Sequence, residues 1–302
     1  MNISLNGGPD SLLAYTKKLL RRHHLRARKG LGQHFLIDAG ALETIINAAG
    51  LTPTDTVIEV GPGLGIMTDE LAKRSGWVIA IELDDNLADI LRKTLAHDNV
   101  IILNQDVLGT EPGKLFSGQA PHFPAEMTSY KVVANLPYYI TSPVLRHFLE
   151  ASVKPDIMVV MVQKEVAETI TAGPGKRSLL SIAVQLYGKP EIVAVVPASS
   201  FYPAPEVDSA VVRINVYPEP PVPVPDEAAF FRLVKAGFSR ARKQLGNSLV
   251  HGLKLSKEEA LGLLGKAGID PQRRAETLEL EEWANLLRAL NETEREWLRA
   301  DT

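Results

Sequence analysis

The run TVIEVGPGLG, Thr56 to Gly65, limits the fold more than any other stretch of the chain. Thr56 to Val60 is rich in β-branched residues and reads as a strand. Gly61, Gly63 and Gly65 then allow a sharp turn, and helical periodicity begins near Ile66 and continues to about Arg74. A strand, a glycine turn and a helix start let backbone N–H groups approach a ligand closely, which is the architecture of open α/β sheets. The spacing is GxGxG, and isoleucine stands at position 66 in place of the third glycine of a dinucleotide fingerprint.

Two further strands follow. Trp77 to Leu83 ends near Glu82, 21 positions after Gly61, where a carboxylate is placed to accept bonds from both hydroxyls of a ribose; the alternative is a surface ion pair. A helix over Asp85 to Ala96 leads to Val100–Gln105, which ends at Asp106. Asp106 either accepts the amine of an adenine or caps the next turn. A glycine turn, Glu82 and Asp106 at successive strand ends describe an adenosyl pocket. With the third glycine missing, S-adenosylmethionine is favoured over a nicotinamide cofactor.

The fourth strand lies in YKVVANLPYYITSP, Tyr130 to Pro143, and carries Asn135-Leu136-Pro137-Tyr138 to its end. The sequence suits the exocyclic amine of adenine, a poor nucleophile whose lone pair is delocalised into the ring. The Asn135 side-chain oxygen and the Leu136 carbonyl, its direction set by Pro137, offer two acceptors for the amine's N–H bonds. Tyr138 is placed to stack on the base, worth about 1–3 kcal/mol. The plain alternative is a strand, a proline turn and core tyrosines. Ser142 is the expected cap of a helix over Pro143 to Glu150.

A fifth strand is expected at Asp156–Gln163, with helices at Lys164–Ile170 and Leu179–Leu186 around the loop Thr171–Ser178. Glu191–Val196 and Ser209–Val216 read as terminal strands. Between them lies FYPAPEVD, in which Phe201 is either the second face of an adenine sandwich or a packed ring in a braced turn. Five prolines in Pro218–Pro225 mark the clearest boundary. Beyond it the period is helical: Asp226–Phe238, Gln244–Gly252, Ser256–Lys266 and Glu279–Leu290. The expected division is a basic N-terminal extension (1–28), an α/β domain (29–217), a linker (218–225) and a small all-helical domain (226–302).

The chain has 302 residues and no cysteine, which excludes disulfides, cysteine-ligated metals and a cysteine nucleophile. No secretory leader and no apolar run of membrane-spanning length is present, so a cytoplasmic protein is expected. The net charge of −3 is unevenly distributed. Ser11–Ile37 holds seven cations and no acid, in a leader expected to be mobile apart from a helix over Ser11–Arg22. Ala228–Lys257 holds another seven, among them Arg240, Arg242 and Lys243, and again no acid. Segregated charge of this kind suits a phosphate-tracking surface; the alternative is two solvated basic segments.

Taken in order, GLGQHFL, VIEVGPGLG, IELD, NQDVL, VANLPYYITSPVL, FYPAPEVDSAVVR and FSRARKQLGNSL resemble the small-subunit ribosomal RNA adenine dimethyltransferases of the KsgA/RsmA type, from about Lys29 to Leu287. The resemblance implies a Rossmann-like methyltransferase sheet with a C-terminal helical domain. It implies methyl transfer from S-adenosylmethionine to N6 of two adjacent adenosines near the 3′ end of 16S rRNA, during assembly of the small subunit. By the same resemblance Gln33, His34 and Leu36 flank the methionine part of the cofactor and Gly61 and Gly63 form the turn beneath it. Glu82 holds the ribose, Asp106 the adenine, and Asn135 faces cofactor and target. The sequence departs from its relatives at His34, where many have asparagine, and in the short loop Thr171–Ser178. A direct in-line transfer without metal is expected, by a protein acting as a monomer. The rivals are a 23S rRNA dimethyltransferase of the macrolide-resistance type, a non-catalytic ribosome assembly factor and a nicotinamide oxidoreductase.

Overall fold

The structure is a computed structural model and describes residues 9–28, 30, 32–116, 129–240 and 242–300. The chain forms two compact units, one of residues 1–168 and 189–216, the other of 169–188 and 217–302.

In the first unit, α1 (Pro9–Arg22), the short β1 (Phe35–Leu36) and α2 (Ala39–Ala49) precede the sheet. The sheet strands are β2 (Thr56–Val60), β3 (Trp77–Glu82), β4 (Val100–Asn104), β5 (Lys131–Asn135) and β6 (Ile157–Gln163). Between them run α3 (Ile66–Ala72), α4 (Asp85–Thr94) and α5 (Thr141–Leu149), and α6 (Lys164–Ile170) follows β6. After α7 (Leu179–Tyr187) the chain returns as β7 (Gly188–Val196), the short β8 (Phe201–Tyr202) and β9 (Ser209–Val216). The seven strands lie in the order β4-β3-β2-β5-β6-β9-β7. β2 pairs in parallel with both β3 and β5, so the order reverses between β2 and β5, and a ligand crevice is expected outside their carboxyl ends. All five residues of β2 are buried, Glu59 among them, as in a strand covered on both faces.

Three expectations change. Of the basic leader, residues 1–8 lie outside the described ones, and α1 is docked: its Leu12, Thr16, Leu19 and Leu20 are buried, at the i, i+4, i+7, i+8 spacing that makes one apolar helix face. Ser142 is not a cap, because a single 3-10 turn over Tyr138–Ile140 runs directly into α5 at Thr141. The pairing of β1 with β8 was not foreseen, as two-residue strands carry no period. Asp38 caps α2, its side chain accepting from the Gly40 and Ala41 amides.

The second unit joins α7 to the C-terminal helices α8 (Glu227–Phe238), α9 (Leu245–Leu253), α10 (Lys257–Lys266) and α11 (Leu280–Ala300). The expected division at 217 placed α7 with the sheet. Instead the loop before it is tied to the helices: Arg177 Nη1 donates to the Leu278 carbonyl at 2.8 Å and pairs with Glu279 at 2.9 Å. Trp283 is fully buried and stacks on Phe238, while Phe230, Leu233 and Leu249 complete the core.

Candidate functional site

The carboxyl ends of β2, β3 and β5 and the segment before β1 enclose one cleft of about 1200 Å³, counted with its open mouth. Gly61 and Gly63 form the turn at the end of β2 with φ of 69° and 59°, a left-handed backbone that a side chain strains. Facing it, Glu82 at the end of β3 is 6% exposed. Its Oε2 accepts the Gly63 amide at 3.1 Å and its Oε1 the Asp84 amide at 2.9 Å. Burial raises its pKa, with those two amide bonds opposing the shift. A carboxylate has about four lone-pair sites, so Glu82 keeps acceptor capacity for two hydroxyls.

Asp106 also lines the cleft, and one of its oxygens caps the following turn by accepting the Leu108 amide at 2.9 Å. Both sequence readings of this residue are therefore compatible, since Oδ2 remains available. Gln33, His34 and Leu36 line the opposite wall. Gln33 is braced rather than free: its Oε1 accepts the Arg28 amide at 2.8 Å and its Nε2 donates to Asp84 at 3.3 Å. Arg28 Nη1 reaches the same Asp84 carboxylate at 3.3 Å.

Asn135 closes β5 on the rim of the same cleft. Its Nδ2 donates to the His34 carbonyl at 3.1 Å, which fixes the amide and leaves Oδ1 as a free acceptor among the described residues. The Leu136 amide donates to Met161 O at 3.1 Å, holding that peptide to β6, and the Leu136 side chain is buried. Pro137 follows with φ −56°. Tyr138 is half-buried; its hydroxyl is hydrogen-bonded to Ser209 Oγ at 2.9 Å, and burial raises its pKa. Its ring stacks with His34 at 5.9 Å between centroids and 22° between planes. His34 Nδ1 lies 2.7 Å from the Pro203 carbonyl, and a carbonyl only accepts, so that nitrogen carries the proton.

Phe201 does not face this site. It is 3% exposed and packs in the core with Leu12, Ile45 and Val211, because β8 turns it inward while pairing with β1. The sandwich expected of it is withdrawn; the exposed ring lining the cleft is Tyr139.

The site also contains a carboxylate that the motif reading passed over. Glu59 lines the cleft, is fully buried, and neither of its oxygens has a partner in hydrogen-bond geometry among the described residues. Burial pushes its pKa up to about 8, the Thr68 hydroxyl opposing this slightly and the Glu82 charge adding to it. Its signal was legible: it is the one charged residue in an otherwise apolar strand. The Arg28–Asp84 brace had no signal, as its partners are far apart in sequence.

In the second unit, Arg240 and Lys243 share a shallow depression with His251 and Lys254, and Arg242 is exposed nearby in sequence. Arg240 Nη2 lies 3.3 Å from His251 Nδ1. Among the described residues no group of histidine, aspartate and glutamate side chains is arranged to hold a metal ion. No helix among them is long and apolar enough to cross a membrane.

The residues of the cleft fit an adenosyl sulfonium ligand. The spare lone pairs of Glu82 are acceptors, the orphaned Glu59 carboxyl, kept neutral by burial, has an O–H to donate, and the glycine turn admits close approach. A family model described as ribosomal RNA adenine dimethylase matches residues 24–292. A protein of Dehalococcoides mccartyi named ribosomal RNA small subunit methyltransferase A is 52% identical over 92% of the chain and 94% of its own length. One of the same name from Moorella thermoacetica is 45% identical over 91% of the chain and 96% of its own. Among solved structures, the 23S rRNA methyltransferase ErmE superposes with a TM-score of 0.65 at 29% identity, covering 85% of this chain and 99% of that one. A dimethyladenosine transferase from Plasmodium falciparum gives 0.69 at 26% identity, covering 86% and 98%.

Proposed function

Because the chain belongs to the ribosomal RNA adenine dimethylase family, we infer that its cleft transfers methyl groups from S-adenosylmethionine to N6 of two adjacent adenosines near the 3′ end of 16S rRNA in the small subunit. The observation that carries this reading is the placement of Asn135–Tyr138 on the rim of the same cleft as Glu82 and the glycine turn. The relatives at 52% and 45% identity carry the small-subunit name, whereas ErmE, titled a 23S enzyme, stands at 29%.

Bound in the cleft, the cofactor supplies an electrophilic methyl group. The chain's own residues do the rest. Glu82 accepts from the ribose, Asp106 from the adenine amine, and Gln33, His34 and Leu36 form the wall beside the methionine part. Asn135 Oδ1 and the Leu136 carbonyl accept the two N–H bonds of the target amine and draw its nitrogen toward tetrahedral geometry, so that its lone pair points at the methyl. Orientation of this kind is worth about 7–11 kcal/mol when the reacting atoms are in line. The first transfer leaves S-adenosylhomocysteine and releases one amine proton to solvent; one N–H remains, and one acceptor suffices to hold the amine for the second. Tyr138, anchored through Ser209, offers its ring to the unstacked base. Arg240, Arg242 and Lys243 contribute phosphate contacts from the helical unit. A monomer suffices, since every group assigned a role lies on one chain.

The test is mass spectrometry of RNA from small subunits lacking these marks, after incubation with the protein and S-adenosylmethionine. Two dimethyladenosines in 16S rRNA are expected. Methylation of protein-free 23S RNA with no mark on 16S would overturn the assignment.

A further inference from the structure

The basic face of α1 has no role in the site described, and Pro9–Arg22 lies outside the 24–292 family match. Its apolar face is consumed by the fold. Leu19 and Leu20 pack in one cluster with Phe35, Leu64 and Leu87, all three of which line the cofactor cleft. Lys17 Nζ sits 5.2 Å over the Tyr202 ring, and Arg28 closes the segment on Asp84. The opposite face is exposed and cationic: Lys18, Arg21 and Arg22 follow the i, i+3, i+4 spacing of one helix face, and Arg26 is exposed just beyond. None of these four has an ion-pair partner among the described residues.

We propose that Lys18, Arg21, Arg22 and Arg26 form a phosphate-backbone docking surface for the RNA substrate, held rigidly against the wall of the methyl-transfer cleft by the buried face of α1. This deepens the assignment of an RNA substrate and rests on it. A membrane surface is a poor match, because an interfacial helix inserts its apolar face and Leu12, Leu19 and Leu20 are buried. RNA fits because unpaired cations release condensed counterions on meeting phosphate, a gain that needs no complementary shape. Docked on the cleft wall, the row fixes backbone position while the rim residues handle the base.

The test compares wild type with a variant carrying Lys18→Gln, Arg21→Gln, Arg22→Gln and Arg26→Gln, all at exposed positions. Affinity for undermethylated small subunits and for protein-free 16S RNA is measured from about 50 to 200 mM salt. At roughly 0.7–0.9 per phosphate contact, the slope of log affinity against log salt is expected to fall by about 3, with affinity at least about tenfold weaker. S-adenosylmethionine affinity and thermal midpoint are expected to match wild type. A companion variant with Arg21→Lys, Arg22→Lys and Arg26→Lys is expected to keep the wild-type slope, since only charge is required. An unchanged slope overturns the proposal. So does a slope lost on particles but kept on free RNA, which would point to an acidic ribosomal protein, or a matching loss of cofactor affinity, which would make the face structural. Wild-type methylation, scored in the same series, separates failure of this surface from failure of the enzymatic reading.

Discussion

Two oxygens, Asn135 Oδ1 and the Leu136 carbonyl, orient the target amine in the proposed transfer. Asn135→Ala is expected to bind S-adenosylmethionine as wild type does, by calorimetry, while single-turnover transfer falls about 10²–10³-fold, the usual cost of one oriented polar group at the reacting atom. Near-normal transfer would remove Asn135 from the mechanism. Phe201 separates packing from recognition: Phe201→Ala is expected to cost about 3–5 kcal/mol in denaturant unfolding as a core cavity, while Phe201→Leu keeps RNA affinity. Glu59 yields a pH signature. Its folded pKa of about 8 stands above the ordinary carboxyl value, so the folded protein keeps it neutral where the unfolded chain ionises it. Its contribution is therefore fully present below about pH 4.5 and is lost as pH rises to about 8. Glu59→Gln is expected to leave the ligand-free protein unchanged at pH 4 and to stabilise it by a few kcal/mol at pH 8; an equal shift at both values would refute the assignment. The motif residues were legible because each stands where strand period meets a breaker. Phe201 was misplaced because a ring beside prolines carries no sign of which way it faces, and that was decided by its pairing with Phe35–Leu36.

Among elements, the sheet strands could be read from apolar runs ending at Asn, Glu or Gly, and Asp226 and Ser256 cap α8 and α10 where the helical period begins. The leader helix was legible as a helix and illegible as a docked one. Its cations dominate the composition, while its four buried positions announce themselves only through spacing. Docking has an energetic consequence. Leu19→Ala is expected to destabilise the protein by about 2–5 kcal/mol and to weaken S-adenosylmethionine binding, because Leu19 shares a cluster with Phe35 and Leu64. Loss of stability with cofactor affinity untouched would show that α1 does not support the cleft wall.

For the molecule as a whole, the proline tract marks a real boundary, since one division between the compact units falls at 216/217, yet α7 from before it belongs with the helices beyond it. Proline content reports where the backbone cannot be helical; it does not report which partner an earlier apolar helix will choose. Ile182, Val184 and Leu186 of α7 are fully buried, and the unit they belong to is completed only after residue 217. A chain stopped at 217 is therefore expected to bind an apolar dye that the full chain does not, read by fluorescence. The same threading governs birth of the protein. As the polypeptide leaves the ribosome, α7 emerges before the strands that finish the sheet and well before its own helical companions, so one greasy segment must wait unsheltered until translation is almost over.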